Sequence, residues 1–504
     1  MLPRFYRYNM TVSESKTLFK QRLRIQGAYR HALVVMNYDS MTAAPKNASA
    51  GFSSAYAALS GKAHELRTDE GYFELLESLS KHSDELDAIT RREVEFELRE
   101  TERMRRIPRD EYAAYRGVLG MAYAKWQEAK RKDDHAIFAP WLDEVIKASR
   151  RIAELAAPGG DAYDYWLDYN EEGASRRMLD GFFALLRSEL VPLIAEVARR
   201  PKPNADFLRG HFPKEKQMEF SAELMRLMGI DSDRCTIAEV EHPYTTFISR
   251  DDVRITTHYY EERVTANMFS VIHEGGHALY ELNVSPELAG SPLAHGASAG
   301  MHESQSRFYE NIIGRSRAFS HLVLPLLKKH FPDEFAFVTA EELYRAVNRV
   351  EPTLKRTEAD ELTYCLHIMV RYELEKRMMD GSLSAAEVPA EWNRLYKEYL
   401  GLEVPNDREG CLQDMHWGSG LIGYFPTYAL GSAYGAQIAA ALRNRIDIDA
   451  LVREGRIGEI TSVLAEGIYG YGKTKTPSEL IGGFCGRGFD PVYYIDYLKE
   501  KYLP

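Results

Sequence analysis

Two histidines and a glutamate in one short segment are the residues best suited to chemistry. His273-Glu274-Gly275-Gly276-His277 follows the pattern His-Glu-x-x-His. On a helix, residues four positions apart differ by ~40° around the axis, so His273 and His277 share a face and can bind one Zn²⁺ at ~2.0–2.1 Å. Glu274 is rotated by about 100° and reaches a water on the metal rather than the metal itself. The pattern predicts metal-assisted hydrolysis with Glu274 as general base.

The pattern requires a helix, and the flanking residues favour one. Thr265 is the predicted N-cap and Asn283 the predicted end, and an apolar side is formed by Phe269, Ile272 and Leu279. Gly275 and Gly276 weaken the helix by roughly 1 kcal/mol each. An alternative role for the pair is to give a substrate close access to the backbone. The alternative interpretation is two surface histidines on an ordinary helix.

A catalytic zinc needs a third protein ligand and an open position. Glu303 follows His277 by 26 residues (303 − 277) in a segment that reads as a helix start with Ser298 as its cap. This placement fits a glutamate ligand on a following helix. His302 diverges from Glu303 by ~100°, which puts it outside the ligand set. The alternative for Glu303 is a solvent-facing acid.

Composition limits the class of protein. The chain has 504 residues, with 45% apolar and 28% charged, and a net charge of 64 − 75 = −11. These values are typical of globular proteins, and the negative charge argues against nucleic acid or membrane partners. Four widely separated cysteines and no apolar run of 18 residues predict a reducing, cytoplasmic compartment and no spanning helix.

Helical periodicity dominates both halves of the chain. The prediction is a flexible tail over residues 1–10 and one helical domain over 11–504, with an N-terminal lobe at 11–230 and a catalytic region at 231–504. The charges of residues 82–107 are interpreted as a solvated helix face. β-branched residues at 245–248 and 253–257 flank a polar turn and predict a short hairpin. The fold class is therefore mainly α with one small β patch near the site.

Further motifs carry a resemblance. The chain resembles the Taq-type (thermostable) metallocarboxypeptidase family in a set of motifs that occur in a fixed order over about 175 residues. The motifs are His242-Pro243-Tyr244, Asp252-Val253-Arg254-Ile255-Thr256, the His273 to His277 segment, His302-Glu303-Ser304-Gln305, Arg356-Thr357-Glu358-Ala359-Asp360, and Gly410-Cys411-Leu412-Gln413-Asp414-Met415-His416-Trp417. Two departures are Tyr244, where the family usually has Phe, and Lys355, where it usually has an apolar residue.

The resemblance implies a function. It implies a helical, groove-shaped zinc carboxypeptidase, with cobalt as a possible substitute, that forms a homodimer and releases single residues from peptides with a free C-terminus. Terminal residues are broadly tolerated, with proline resisted. Arg356 is implied as the group that binds the terminal carboxylate, a task for which the guanidinium fork is suited. The alternative for Arg356 is an ordinary ion pair with Glu358 or Asp360.

Several other residues are predicted to contact substrate: His242, Arg254, His302, Gln305, His416, Tyr424 and Tyr428. Either tyrosine would donate to the developing oxyanion. Alternatives stay open at this level. Arg254 is equally suited to a structural pair with Asp252, His242 to packing, and the tyrosines to the core.

The predicted mechanism is attack by zinc-activated water, with Glu274 passing the proton to the leaving amine. Two competing interpretations remain. One is an endo-acting zinc oligopeptidase on a similar helical scaffold, which needs no carboxylate clamp. The other is a helical interaction scaffold with a vestigial site.

Overall fold

The structure, a computed structural model, describes residues 10–503. The predicted tail at residues 1–10 lies outside the described residues except for Met10. Within the described part, the chain is mainly α-helical with one three-stranded sheet, which confirms the predicted fold class. None of the helices between residues 10 and 503 is long and apolar enough to cross a lipid bilayer.

The helices occur in two runs separated by the sheet. The first run is α1 (Val12–Thr42), α2 (Ser49–Thr68), α3 (Glu70–Lys81), α4 (Ala88–Arg105), α5 (Arg109–Lys132), α6 (Ala139–Ala156), α7 (Ala162–Asn170), α8 (Arg176–Val197) and α9 (Lys214–Leu227). The second run is α10 (Val264–Leu282), α11 (Ala299–Arg307), α12 (Arg317–His330), α13 (Pro332–Phe335), α14 (Ala340–Val347), α15 (Glu361–Asp380), α16 (Val388–Leu400), α17 (Phe425–Arg443), α18 (Ile448–Arg453), α19 (Ile457–Gly467), α20 (Pro477–Cys485) and α21 (Val492–Tyr502).

The sheet contains the predicted hairpin and one further strand. Strands β2 (Thr245–Ser249) and β3 (Asp252–Thr257) pair antiparallel, with Thr245 opposite Ile255. A strand that the sequence analysis did not predict, β1 (Cys235–Glu239), pairs parallel with β3 on its other side. Val253 and Ile255 of β3 are fully buried, and this strand packs on α10. The sheet therefore supports the helix that carries the His-Glu-x-x-His motif.

The hydrophobic core does not divide at residue 230. One continuous core runs from Tyr115 in α5 to the C-terminal helices, and a smaller core joins α1, α3 and α4 through residues such as Phe19 and Leu76. Prolines 201, 203 and 213 interrupt the helices, but the helices on both sides share the same core. The break in packing therefore falls between α4 and α5.

The interpretation of residues 82–107 as a solvated helix face is wrong for α4. Glu93, Glu97 and Thr101 are buried, and other charged residues of this helix line a long groove. Glu97 accepts a hydrogen bond from Tyr72 and lies 3.5 Å from Arg67. Charge density alone did not reveal that this helix forms a wall, because its partners come from α2 and α3.

Candidate metal centre and substrate groove

The motif helix α10 begins two residues earlier than predicted, because its N-cap is Arg263 rather than Thr265. It ends as predicted, with Asn283 at the C-cap. Gly276 is not a point of substrate access. A Cβ atom there would lie 2.8 Å from both the carbonyl oxygen of Gln305 and the Cα of Ser306. The glycine instead lets α10 and α11 approach closely enough to share one centre.

The three predicted ligands converge between these two helices. Nε2 of His277 lies 3.4 Å and Nε2 of His273 lies 3.7 Å from Oε2 of Glu303, and the three ligand atoms lie within 4.8 Å of one another. Ligands on a tetrahedral zinc with bonds of ~2.0–2.1 Å stand about 3.4 Å apart. The donor set and its spacing therefore fit a zinc ion.

Each histidine is oriented by an outer hydrogen bond. Nδ1 of His273 lies 2.9 Å from Oε2 of Glu310. Nδ1 of His277 lies 2.5 Å from Nδ1 of His302, whose Nε2 lies 2.8 Å from Glu281. Because the carboxylates only accept, Glu281 fixes the His302 tautomer, and His302 then accepts from His277. Both ligand histidines are left with a free Nε2 lone pair facing the centre.

Burial and charge set the protonation of the ligands. Burial, with help from His302, lowers the pKa of His277 to about 3, so this imidazole is neutral at physiological pH. Burial alone would raise the pKa of Glu303, but Arg307, 2.7 Å from Oε1, outweighs it and holds the pKa well below its usual range. A neutral histidine and an ionised glutamate are the forms that bind a metal.

Glu274 lies on the same helix with its carboxylate at the groove. Its Oε2 accepts a hydrogen bond of 2.6 Å from the hydroxyl of Thr245, the first residue of β2. The side chain is almost fully buried, and burial raises its pKa above the ordinary value. A raised pKa improves a carboxylate as a proton acceptor near neutral pH.

The metal centre opens into a groove of about 1290 Å³. Tyr424 and Tyr428 both line it, with ring centroids 5.3 Å apart in an edge arrangement. They occupy the start of α17, just after the glycine-containing segment 418–423. Neither tyrosine is simply part of the core, since both present surface to the groove.

Arg356 lies behind Tyr428 rather than free in the groove. Its Nε and Nη2 both donate to Oδ1 of Asp414, its Nη1 donates to Tyr364, and its guanidinium lies 5.0 Å from the centre of the Tyr428 ring. Asp414 also accepts two hydrogen bonds from the fully buried Arg371. Two guanidiniums share one carboxylate, so a net positive charge remains at this end of the groove.

His416 belongs to the same cluster. Its Nε2 lies 3.2 Å from the Tyr428 hydroxyl, and its ring stacks on Phe425 at 4.2 Å. Burial lowers the pKa of His416 to about 4, which keeps the ring neutral. The structure thus brings Arg356, His416 and both tyrosines to one region beside the metal centre.

Arg356 and His416 contact the groove residue Tyr428 but do not line the groove themselves, and three further predicted contact residues lie away from it. Arg254 makes a two-bond ion pair with Asp252, both at 2.8 Å, and stacks over Tyr38. His242 is exposed on the loop before β2. Gln305 is fully buried and accepts from Tyr469 at 2.7 Å, because two helical positions place it ~200° from Glu303.

Four supporting residues were not predicted from the sequence: Thr245, Glu281, Arg307 and Glu310. Four-residue helical spacing in the sequence could have revealed two of them. Glu281 continues the four-residue spacing of His273 and His277, and Arg307 follows Glu303 by the same spacing. Glu310 lies in a π-helical turn, Phe308–Ile313, which standard helical spacing does not place.

A helical protein with two histidines and a glutamate converging beside a deep groove is a metal-dependent peptidase in class. Comparison with known proteins identifies the family. The sequence model described as "Carboxypeptidase Taq (M32) metallopeptidase" matches residues 18–502.

Relatives match along nearly their whole length. Carboxypeptidase 1 of Bacillus subtilis is 38% identical over 476 residues, 94% of this chain and 95% of that protein. Thermostable carboxypeptidase 1 of Pyrococcus furiosus is 35% identical over 480 residues, 94% of this chain and 96% of that protein. The crystal structure of an M32 carboxypeptidase from Deinococcus radiodurans has a TM-score of 0.94 at 36% identity, covering 97% of this chain and 98% of that one.

The chain belongs to the Taq-type (M32) metallocarboxypeptidases. It is accordingly a peptide hydrolase of the metallocarboxypeptidase class. The resemblance noted in the motifs is confirmed, and the two competing interpretations, an endo-acting oligopeptidase and a vestigial scaffold, are not supported.

Proposed function

We propose that the protein is a zinc-dependent carboxypeptidase that releases one residue at a time from peptides with a free C-terminus. The observation that carries this proposal is the convergence of His273, His277 and Glu303 in a groove where Glu274 presents a carboxylate on the same helix. The spacing of the three ligand atoms suits zinc, and Co²⁺ is expected to substitute for it.

The ligands hold the metal through Nε2 of both histidines and the carboxylate of Glu303. Zinc bound there supplies Lewis-acid activation of water and of the scissile carbonyl. Glu310 and the His302–Glu281 pair keep the imidazoles in the tautomer that binds metal, and Arg307 keeps Glu303 ionised.

Glu274 moves the proton. Its carboxylate removes a proton from the attacking water and then delivers it to the nitrogen of the leaving amine. The hydroxyl of Thr245 holds this carboxylate at 2.6 Å, which limits its rotation. The proton-transfer atom is thereby held in the groove before substrate arrives.

The terminal carboxylate binds at the end of the groove lined by Tyr424 and Tyr428, with Arg356 and His416 directly behind Tyr428. The surplus positive charge of Arg356 and Arg371 around Asp414 attracts a carboxylate, and Tyr428 offers a hydroxyl donor at the groove surface. Tyr424 or Tyr428 is the donor we assign to the developing oxyanion. Binding of the terminal charge restricts cleavage to the last peptide bond.

Tolerance and assembly complete the proposal. We expect broad acceptance of terminal side chains, and resistance to proline because its ring fixes φ and removes the amide hydrogen at the bond to be cut. The homodimer, the cytoplasmic location and the absence of nucleic acid or membrane partners stay predictions.

Metal removal tests the zinc assignment. Enzyme stripped by a chelator should lose activity and thermal stability, and one equivalent of Zn²⁺ or Co²⁺ per chain should restore both. A panel of peptides with free or amidated C-termini then tests exopeptidase character, since only free carboxylates should be cleaved. Full activity in metal-free enzyme, or equal cleavage of amidated peptides, would contradict the proposal.

A further inference from the structure

The half of the groove on the His277 side has an unusual charge arrangement. We call it the N-lobe half, because most of its wall comes from α1, α2, α4 and α7. Six cationic side chains line it: Arg30, Arg67, Arg92, Arg99, Arg103 and Lys473. Five carboxylates line the same half: Glu97, Glu100, Asp168, Glu172 and Glu281.

Most of these charges are already paired. Glu281 is bound by His302. The remaining ion pairs are Arg67–Glu97 at 3.5 Å, Arg92–Glu172 at 3.2 Å, Arg99–Glu172 at 2.6 Å, Arg103–Asp168 at 2.5 Å and Arg103–Glu100 at 3.4 Å. Every carboxylate of the N-lobe half therefore has a partner.

Arg30 and Lys473 differ from the other four cations in their contacts. Within residues 10–503, the structure gives neither side chain a hydrogen bond or an ion pair within 4.0 Å, although both line the groove. The ammonium of Lys473 lies 5.2 Å from the ring centre of Phe96. This contact orients the ammonium but does not neutralise its charge. Arg30 is exposed in the groove and Lys473 is half-buried, so a ligand in the groove can reach both charges. Both cations are thus under-compensated, and an anion entering the groove would stabilise them.

The position of these cations relative to the metal centre follows from α10. Glu281, whose charge acts on both Arg30 and Lys473, lies one helical turn, ~6 Å, beyond His277. Arg356 and Tyr428 lie on the His273 side of the centre. Arg356 donates to Tyr364, which packs on Arg307, and Arg307 contacts Glu310, the hydrogen-bond partner of His273. A peptide whose terminal carboxylate lies at Arg356 therefore runs its upstream residues toward Arg30 and Lys473.

We propose that Arg30 and Lys473 form a subsite for acidic side chains located upstream of the scissile bond. At ~3.3 Å per residue of extended peptide, a turn of helix plus the length of the side chains corresponds to about two to four residues before the bond. The protein would thus prefer peptides that carry Asp or Glu at those positions. The inference rests on the proposed function for the direction in which the peptide lies.

The test uses N-acetylated hexapeptides with one constant, neutral C-terminal residue. A single Glu is moved through the upstream positions, and each peptide is compared with its Gln isostere. We expect the Glu/Gln ratio of kcat/KM to peak at about tenfold, or ~1.4 kcal/mol, two to four residues before the bond at low ionic strength. The ratio should fall as salt is raised, because groove charges are screened.

Charge variants assign the preference to the two residues. In R30Q/K473Q the Glu/Gln ratio should fall to about one. In R30E/K473E it should fall below one, and a peptide with Lys at the same position should be cleaved faster than the Gln peptide. The matched control R24Q/K475Q removes the same charge from residues that do not line the groove, and it should keep the parent ratio. Thermal unfolding of each variant checks that it is folded.

Several outcomes would overturn the subsite. They are a ratio near one at every position in the parent enzyme, a preference that survives R30Q/K473Q, or a preference confined to the released residue. Failure of the proposed function is separately visible, because cleavage of the Gln peptides, its dependence on metal and the rejection of amidated peptides do not involve an upstream Glu.

Discussion

Replacement of His302 by alanine distinguishes two roles for this histidine. The sequence suggested for His302 both a position around the ligands and a substrate contact, and the structure inserts it between Glu281 and the predicted ligand His277. Alanine removes the acceptor that holds the Nδ1 hydrogen of His277. The imidazole of His277 is then free to rotate or to change tautomer, and both changes weaken metal binding.

The magnitude follows from the contacts that are lost. The substitution breaks a 2.5 Å and a 2.8 Å hydrogen bond and leaves Glu281 with the amide of Gly296 at 3.2 Å and His295 at 3.7 Å. Loss of an outer partner of a ligating histidine typically lowers metal affinity 10- to 100-fold. We therefore expect zinc affinity to fall by that factor, about 1.4–2.7 kcal/mol.

Zinc affinity is measured by competition with a chromophoric chelator, and kcat and KM are measured at saturating zinc. His302→Ala should weaken zinc binding while KM changes less than threefold. His302→Asn keeps an acceptor oxygen near the position of Nδ1 and should recover part of the affinity. His295→Ala is the matched control, because this imidazole also faces Glu281 but contacts no metal ligand.

One result would refute this reasoning. If His302→Ala binds zinc as tightly as the parent enzyme but its KM rises tenfold or more, then His302 contacts substrate and does not orient His277. Equal loss of zinc affinity in His295→Ala would also contradict it, since the effect would then belong to Glu281 alone.

Three further predictions concern proton transfer, the terminal carboxylate and pH. Glu274→Gln should retain zinc but lower kcat at least 10²-fold, because an amide cannot accept the proton. Arg356→Ala should lower kcat/KM on free-carboxylate peptides roughly 10- to 150-fold, the value of a charge-assisted hydrogen bond, and should reduce discrimination against amidated peptides. Burial raises the pKa of Glu375 to about 7, although Tyr163, Trp417 and the Gly423 amide donate to it. Because the pKa of Glu375 is higher in the folded than in the unfolded protein, this group stabilises the fold at low pH and loses that effect as the pH rises. The free energy of unfolding should therefore fall by about 3 kcal/mol between pH 4.5 and 7, and Glu375→Gln should remove this pH dependence.

Each of these three predictions has a result that would contradict it. Unchanged kcat in fully metallated Glu274→Gln would mean that another group takes the proton. Undiminished discrimination in Arg356→Ala would place the carboxylate site elsewhere. An unfolding free energy with the same pH slope in Glu375→Gln and in the parent, measured by urea titration from pH 4.5 to 7.5, would exclude Glu375 as the source.

The sequence by itself predicted the three residues of the candidate metal centre, and the structure brings them together. The His-Glu-x-x-His spacing needs only a helix to bring His273 and His277 to one face, and helix formation follows local periodicity. The N-cap at Ser298 also depends only on neighbouring residues, and the structure confirms that its hydroxyl accepts a hydrogen bond from the Met301 amide. The ordered motifs identified the family, and the hairpin was visible from β-branched residues around a polar turn.

Tertiary structure alone decided what surrounds those ligands. Thr245 reaches Glu274 from a strand, Glu310 reaches His273 from a π-helical turn, and α4 became a groove wall instead of a solvated surface. Arg356 was expected to be free for substrate and is instead shared with Asp414, 58 positions away along the chain. Local patterns specify which face a residue occupies on its own element. They do not specify which partner from a distant element meets that face, because that choice depends on how all the helices pack together.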